Sequence, residues 1–192
     1  DVYKRQLVVG LAVVRALALL AAERVDGVQL GLKWPNDLLL ARSEGSYAKV
    51  GGVLVESVLR SGAHGQKELA VVIGVGLNCG ECTEIKQKVP DQLVGSLSEL
   101  WPDNVPSAQI FDAVLGQLVV DLSEFRERGF AAFSEAWNAV DLWRNRFVQI
   151  CEQGAVLQEG FCRGVDAEGA LCIETASGMK RIVSGDVSLR KV

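Results

Sequence analysis

Lys33-Trp34-Pro35-Asn36-Asp37-Leu38 sets a turn between two apolar runs, residues 28–32 and 38–41. Pro fixes its own φ, and Asn or Asp bonds back to nearby backbone, so Pro-Asn-Asp is a turn signal with a mechanism. The turn carries a cation, a carboxamide and a carboxylate within five residues. A second lysine, in Lys49-Val50-Gly51-Gly52, opens the next apolar run at 53–58. A further run, 69–75, leads into Gly74-Val75-Gly76-Leu77-Asn78. The links at 42–47 and 60–67 are short, polar and rich in Gly and Ser. Such links join antiparallel neighbours, so strands over 28–34, 38–41, 48–59 and 69–76 are expected as a meander. No helix separates them, which argues against a doubly wound parallel sheet. The chemistry suits a phosphate and metal site at the mouth of a sheet. Lysines neutralise phosphate or carboxylate oxygens. Asp with Asn can hold magnesium together with nucleotide phosphates. Glycines let a ligand approach the backbone.

The chain has 192 residues and 49% hydrophobic content, which suits one domain, or one with a small appendage. A formal net charge of −4 disfavours a broad nucleic-acid surface and leaves room for a local basic site. Five scattered cysteines make no disulfide framework and point to a reducing, cytoplasmic compartment. Residues 7–22 are almost wholly apolar after Lys4 and Arg5, which imitates a signal peptide. The run falls short of the ~20 residues that span a membrane, and Arg15 interrupts it. It reads instead as a core helix over 7–24, with Arg15, Glu23 and Arg24 at its polar edge and Asp26-Gly27 ending it. Residues 1–6 match no pattern and read as foreign sequence at a truncated start.

Residues 80–90 read as a mobile polar loop and 91–100 as a short helix, which Pro102 and Pro106 then break off. Ser107 is the expected cap of a long amphipathic helix to Arg128. Ile110, Phe111, Val114, Leu115, Leu118, Leu122 and Phe125 recur at helical spacing as its inward face. A further helix is expected over 130–143, with Phe133, Ala136, Trp137 and Val140 inward. Composition changes at 144–147. Short β-like runs follow at 148–151, 155–165, 170–175, 180–184 and 187–189, punctuated by Gly154, Gly169, Gly178 and Gly185. Five short strands in so little chain suggest a small closed barrel.

Three stretches resemble the biotin–protein ligase family in order and spacing: Lys33-Trp-Pro-Asn-Asp-Leu38, Lys49-Val-Gly-Gly-Val-Leu-Val-Glu56 and Val72-Ile-Gly-Val-Gly-Leu-Asn78. Each alone is weak; together they are specific, and the resemblance runs from Leu7 to Val192. The closing Ser184-Gly-Asp-Val-Ser-Leu-Arg190 resembles the family's C-terminal domain. The resemblance implies an α+β fold. Its mixed or antiparallel sheet would pack with helices as an incomplete class II synthetase-like catalytic domain over 1–145. An SH3-like β-barrel would follow over 146–192. It implies that biotin's carboxylate attacks the α-phosphorus of ATP, giving biotinyl-AMP and pyrophosphate. Biotin then passes to a lysine of a biotin carboxyl carrier protein, such as the acetyl-CoA carboxylase carrier domain.

By the same resemblance Lys49 is the catalytic residue, meeting biotin's carboxylate and the reacting phosphate. Gly52, Gly74 and Gly76 line the biotin site; Lys33, Asn36, Asp37 and Asn78 meet the ATP phosphates, with Asp37 and Asn78 close to Mg2+. Family members carry a Gly/Arg-rich loop over the adenylate, upstream of the first helix here, and these residues do not include it. A homodimer is compatible with the family. Nucleic acid enters only through a winged helix-turn-helix that bifunctional members add.

Plainer readings stand beside these. Lys49 could be a solvated strand-start lysine, Pro-Asn-Asp only a turn, and Trp34 core. Gly74-Val-Gly76 lacks the third Gly and the following helix of a dinucleotide fingerprint. Cys79-Gly-Glu-Cys82 lacks two further ligands for zinc. His64, the only histidine, leaves no hydrolase triad to assemble. Trp101 could stack on adenine or pin a helix end. Two rival functions stay open: a lipoate or octanoate enzyme of the same superfamily, and a non-catalytic biotin-binding or carrier-docking fragment. Arg163, Lys180, Arg181, Arg190 and Lys191 offer a basic rim that could steer an acidic carrier domain.

Overall fold

A computed structural model describes residues 1–20, 25–61, 66–89, 93–101, 103, 105–152, 155–183 and 187–191; for 84, 86, 152 and 187–191 it describes backbone only. His64, Glu23, Arg24, Pro102, Gly154 and Gly185 lie outside the described residues. The meander expected from turn chemistry is present. β1 (Val28–Lys33), β2 (Asp37–Arg42), β3 (Tyr47–Ser61) and β4 (Lys67–Leu77) form one antiparallel sheet in chain order.

The apolar run near the start is α1 (Val2–Leu19), which begins five residues earlier than the sequence suggests, with Asp1 as its N-cap. Of the residues that read as foreign, 2–6 are therefore helical, and Gln6 Oε1 accepts the Val55 amide at 3.2 Å. Leu7, Val8, Val9, Leu11, Val13 and Leu17 are all buried, on every side of the helix. A helix apolar all round needs neighbours all round. α1 has them, lying between the sheet and α3 (Ser107–Arg128). Arg15 leaves this core as an ion pair to Asp121 at 3.0 Å, with its guanidinium over the Phe133 ring. Among the described residues no helix is long and apolar enough to cross a membrane.

Several expected helices change where tertiary pairing claims the backbone. Residues 80–90 hold a short α2 (Thr83–Lys88) rather than only a loop. The helix expected over 91–100 is a single 3-10 turn, Leu97–Glu99, closed by a Ser96/Glu99 capping box. Residue 93 and Gly95 cannot join it, because Lys49 N donates to Leu93 O and Gly95 N to Lys49 O. α3 begins at Ser107, but its cap position is Pro106 and no side chain caps it. Ile110 and Val114 are buried as expected, whereas Phe111 and Leu115 are 64% and 50% exposed. They line a hollow against Ile73 and Val75 of β4, so that part of the stripe faces a groove instead of the core. The helix expected over 130–143 breaks into a 3-10 turn, Phe130–Ala132, and α4 (Ser134–Ala139). Leu32 N donates to Val140 O and Leu142 N to Leu32 O, so Asp141 bridges the β1 edge and 140–142 leave the helix.

The second sheet is antiparallel, in the order β8-β7-β6-β5-β9, from β5 (Phe147–Glu152), β6 (Ala155–Val165), β7 (Leu171–Thr175), β8 (Gly178–Ile182) and β9 (Val187–Lys191). Among the described residues no pairing joins β8 to β9, so the closed barrel expected from strand count is not found: the sheet is open. Val148, Ile150, Leu171 and Ile173 belong to the same contiguous core as α1 and the first sheet. Asn138 fastens α4 to β6, donating to Val165 O at 2.8 Å and accepting from Val165 N at 2.7 Å. This mimics a strand neighbour. Gly164, at φ 85°, makes room: a Cβ there would lie 2.1 Å from Asn138 Oδ1.

Candidate functional site

The turn at 34–36 closes a hairpin whose register aligns four residues across the sheet. Lys33 pairs with Asp37, Asp37 with Gly52, and Gly52 with Gly76. Directly paired residues share a face, so one row carries two charged side chains and then two positions without any. Lys33 Nζ donates to Asp37 Oδ2 at 3.0 Å. Asp37 Oδ1 pairs with the Lys49 ammonium. Asp37 is only 9% exposed. Burial alone would raise its pKa, but Lys33 and Lys49 outweigh that and hold the carboxyl below its ordinary value. The carboxylate stays ionised and fixes two cations.

Lys49 reaches this row only because β3 carries a bulge. Leu38 pairs with Gly51 but Leu39 with Lys49, so Val50 is an extra residue. Strict alternation back from Gly52 would put Val50 on the open face and Lys49 in the core. Instead Val50 and Gly51 are both buried in succession, and Lys49 is partly exposed beside Asp37. A Cβ built on Gly52 would lie 3.7 Å from Lys49 Cε, so the lysine stem passes over that glycine. An ammonium left in the core without a partner would cost several kcal/mol.

An open cavity of about 470 Å³ lies along Lys49, Gly52, Gly76 and Asn78, within the usual range of small-molecule sites. Ile85 and Val89, at and just beyond α2, and Val94 give it an apolar wall. Those three, with Leu77, were not legible from motif spacing; only the return of 93–95 onto β3 brings Val94 here. Gly51 was also missed as the glycine that packing requires: a Cβ there would sit 2.4 Å from Gly76 O. Gly74 shares the open face but does not line the cavity. Asn36 accepts from Val53 N at 3.0 Å through its carbonyl and donates to Val53 O at 3.1 Å, bracketing the hairpin onto β3. Asn78 donates its side-chain nitrogen to Gly95 O at 3.1 Å and, more weakly, to Lys49 O at 3.4 Å. Trp34 and Trp101 are buried, at 2% and 5% exposure, and belong to the core.

A protein-held magnesium does not fit this set. Both Asp37 oxygens already face ammonium groups, and no group of three or more His, Cys, Asp or Glu converges among the described residues. The Cys79/Cys82 pair does not add a thiolate. Cys82 Sγ bonds Gly80 O at 3.1 Å, and burial, then Cys82 nearby, pushes the Cys79 thiol up, away from reactivity. All five cysteines are unbridged. The hollow between β4 and α3 is comparable in size, about 440 Å³, but its lining is wholly aliphatic and aromatic and offers no reactive group. On the second sheet, Arg163 pairs with Glu174 and Arg181 with Asp166 at 2.6 Å. Two cations of the expected basic rim are thus neutralised by their own sheet; the Arg190 and Lys191 side chains lie outside the described residues.

The chain matches the model of the biotin/lipoate A/B protein ligase family over residues 1–78, and that of the biotin protein ligase C-terminal domain over 145–190. It is 29% identical over 184 residues to the bifunctional ligase/repressor BirA of Escherichia coli K12, covering 96% of this chain and 52% of that protein. It is 29% identical over 181 residues to the biotin--[acetyl-CoA-carboxylase] ligase of Mycobacterium tuberculosis H37Rv, covering 94% of this chain and 60% of that protein. The chain therefore spans about half the length of the BirA relatives it matches. The structure of Aquifex aeolicus biotin protein ligase in complex with biotin and ATP superposes with a TM-score of 0.76 at 26% identity, covering all of this chain and 73% of that one. Two family models at opposite ends, relatives aligned over nearly all of this chain and one shared fold agree in what the chain is similar to: the biotin protein ligase family.

Proposed function

We propose that the protein is an ATP-dependent ligase that activates biotin as biotinyl-AMP and transfers it to a lysine of a biotin carboxyl carrier protein. The observation that carries the reading is the Lys33–Asp37–Lys49 ion network set beside a glycine-floored cavity. Activation brings biotin's carboxylate against the α-phosphate of ATP. Two anions repel, so a cation held between them lowers the barrier, and Asp37 holds Lys49 where it can serve. Lys33 is assigned to the nucleotide phosphates, with Asp37 and Asn36 as its supports. Gly52 and Gly76 leave space for the ligand chain, with Gly74 on the same face; Ile85, Val89 and Val94 supply apolar contact. In the first step the carboxylate oxygen bonds to the α-phosphorus and pyrophosphate leaves. In the second the carrier lysine's amine attacks the acyl carbon and AMP leaves. Magnesium would come on the nucleotide's phosphates, and we assign it no protein ligand.

The domain division follows the same reading, with the catalytic unit over 1–145 and the C-terminal unit over 146–192. The partner would be the carrier domain of acetyl-CoA carboxylase, in the cytoplasm. The test is pyrophosphate release by the full-length protein with ATP and either biotin or lipoate, followed by labelling of an added carrier domain. Release with biotin alone, and label on the carrier lysine, is the expected result. Release with lipoate alone, or with neither acid, would overturn it.

A further inference from the structure

We propose that Asn78 is a positioning residue for Lys49, acting through the β3 bulge; this rests on the proposed role of Lys49 in adenylation. The bulge at Val50 turns Lys49 toward Asp37, and the Lys49 and Val50 carbonyls are held from outside β2, by the end of β4 and the segment 93–95. The structure gives each of them a partner. Val50 O accepts from Asn78 N at 2.8 Å, and Lys49 O accepts from Gly95 N at 2.9 Å. The Asn78 side-chain nitrogen lies between Gly95 O, at 3.1 Å, and Lys49 O, at 3.4 Å. Asn78 O then accepts from Leu97 N at 2.7 Å. One residue thus joins the bulge, the end of β4 and the segment 93–97.

The chemistry selects Asn. Two carbonyl oxygens on one side require a group with two donors, which a carboxamide nitrogen has and a carboxylate or a single hydroxyl lacks. Asp in this place would set an anion against two carbonyls. A phosphate or metal role makes the opposite demand. It would use the oxygen of Asn78, and an Asp there would serve a cation as well or better.

The experiment measures pyrophosphate release with biotin and ATP in the full-length protein, for Asn78→Ala, Asn78→Asp, Lys49→Ala and the Asn78→Ala/Lys49→Ala pair. Asn78→Ala is expected to lower kcat about 10-fold and Asn78→Asp about 100-fold, as a misplaced catalytic group does. The biotin KM, the magnesium midpoint and the melting temperature should hold in Asn78→Ala, and the double variant should be no slower than Lys49→Ala alone. Asn78→Asp more active than Asn78→Ala, or a shifted magnesium midpoint, would make Asn78 a ligand and overturn the inference. Loss of melting temperature in step with kcat in Asn78→Ala would make it an ordinary structural residue, with the same consequence. Wild-type release by Lys49→Ala is a separate outcome: it removes the adenylation reading itself, and the inference with it.

Discussion

Lys49 and Asp37 make one unit, and substitution should separate their chemistry from their contribution to stability. Lys49 is partly exposed, with its stem over Gly52 and its ammonium on Asp37, which keeps Lys33, so Lys49→Ala should leave the melting temperature nearly unchanged. The loss of a fixed cation at the reacting phosphate should lower pyrophosphate release by about 100-fold or more. Unaltered release in the full-length variant would show a merely solvated lysine. A second carboxyl, Asp141, behaves in the reverse way. Burial pushes it up to about 6, against the lowering pull of the Trp143 amide and of Cys162. Its oxygens accept from Trp143 N at 3.0 Å and Cys162 Sγ at 3.7 Å. A raised folded value means that folding favours the protonated form. That contribution is complete below the ordinary aspartate range near pH ~4 and is lost as pH rises through about 6. Its full size is roughly 3 kcal/mol. Asp141→Asn, which cannot ionise, should gain on the wild type by up to that amount between pH 4 and 8 in denaturant unfolding. A difference that does not vary with pH would rule this out.

The β3–β4 ribbon distinguishes glycines that packing requires from one that a ligand would require. A Cβ on Gly51 would lie 2.4 Å from Gly76 O and 2.9 Å from Leu77 Cδ2. Gly51→Ala must therefore part the two strands and should cost about 1–3 kcal/mol, as overpacking does. Gly52→Ala meets nothing closer than 3.5 Å and should be nearly neutral for stability. Its methyl would instead enter the cavity beside Lys49, so the biotin KM should rise while the melting temperature holds. Equal melting temperatures for the two variants would contradict the packing geometry. The lysine motif and the glycine pair were readable because turn residues and β patterning are local signals. Their division of labour was not, because it depends on which backbone lies across the strand pair.

The two sheets share one apolar core, and the joint between them is dense. Leu32 pairs with Val140 and Leu142, Asn138 with Val165, and Asn145 and Arg146 with Cys162. Removing everything after Arg144 from the full-length protein would strip Val148, Ile150, Leu171 and Ile173 from the shared core and leave the Asn138 side chain without Val165. The melting temperature should fall, and adenylate formation and transfer should fall together. Survival of adenylate formation with loss of transfer alone would instead assign the second sheet to carrier docking. Arg163 and Arg181 already have acidic partners on that sheet, which weakens any steering field they could raise.

Local chemistry by itself determined the four-strand meander, the turn at 34–36, the long amphipathic helix and the lysines and glycines of the site, because turn propensity and hydrophobic period act over a few residues. It also led to the family, through three short stretches in order. Tertiary structure decided everything that depends on a partner distant in the chain. The apolar run of α1 looks like a signal peptide until the sheet and α3 cover both its sides. Residues 93 and 95, and 140–142, leave their expected helices because strand edges at Lys49 and Leu32 claim their backbone groups. Five short strands suggested closure, which depends on the edge strands β8 and β9 meeting, and among the described residues they do not pair. The side of the sheet to which Lys49 points could not be read from alternation at all. One extra residue at Val50 reverses the phase, and the bonds that hold that bulge come from Asn78 and Gly95, far along the chain.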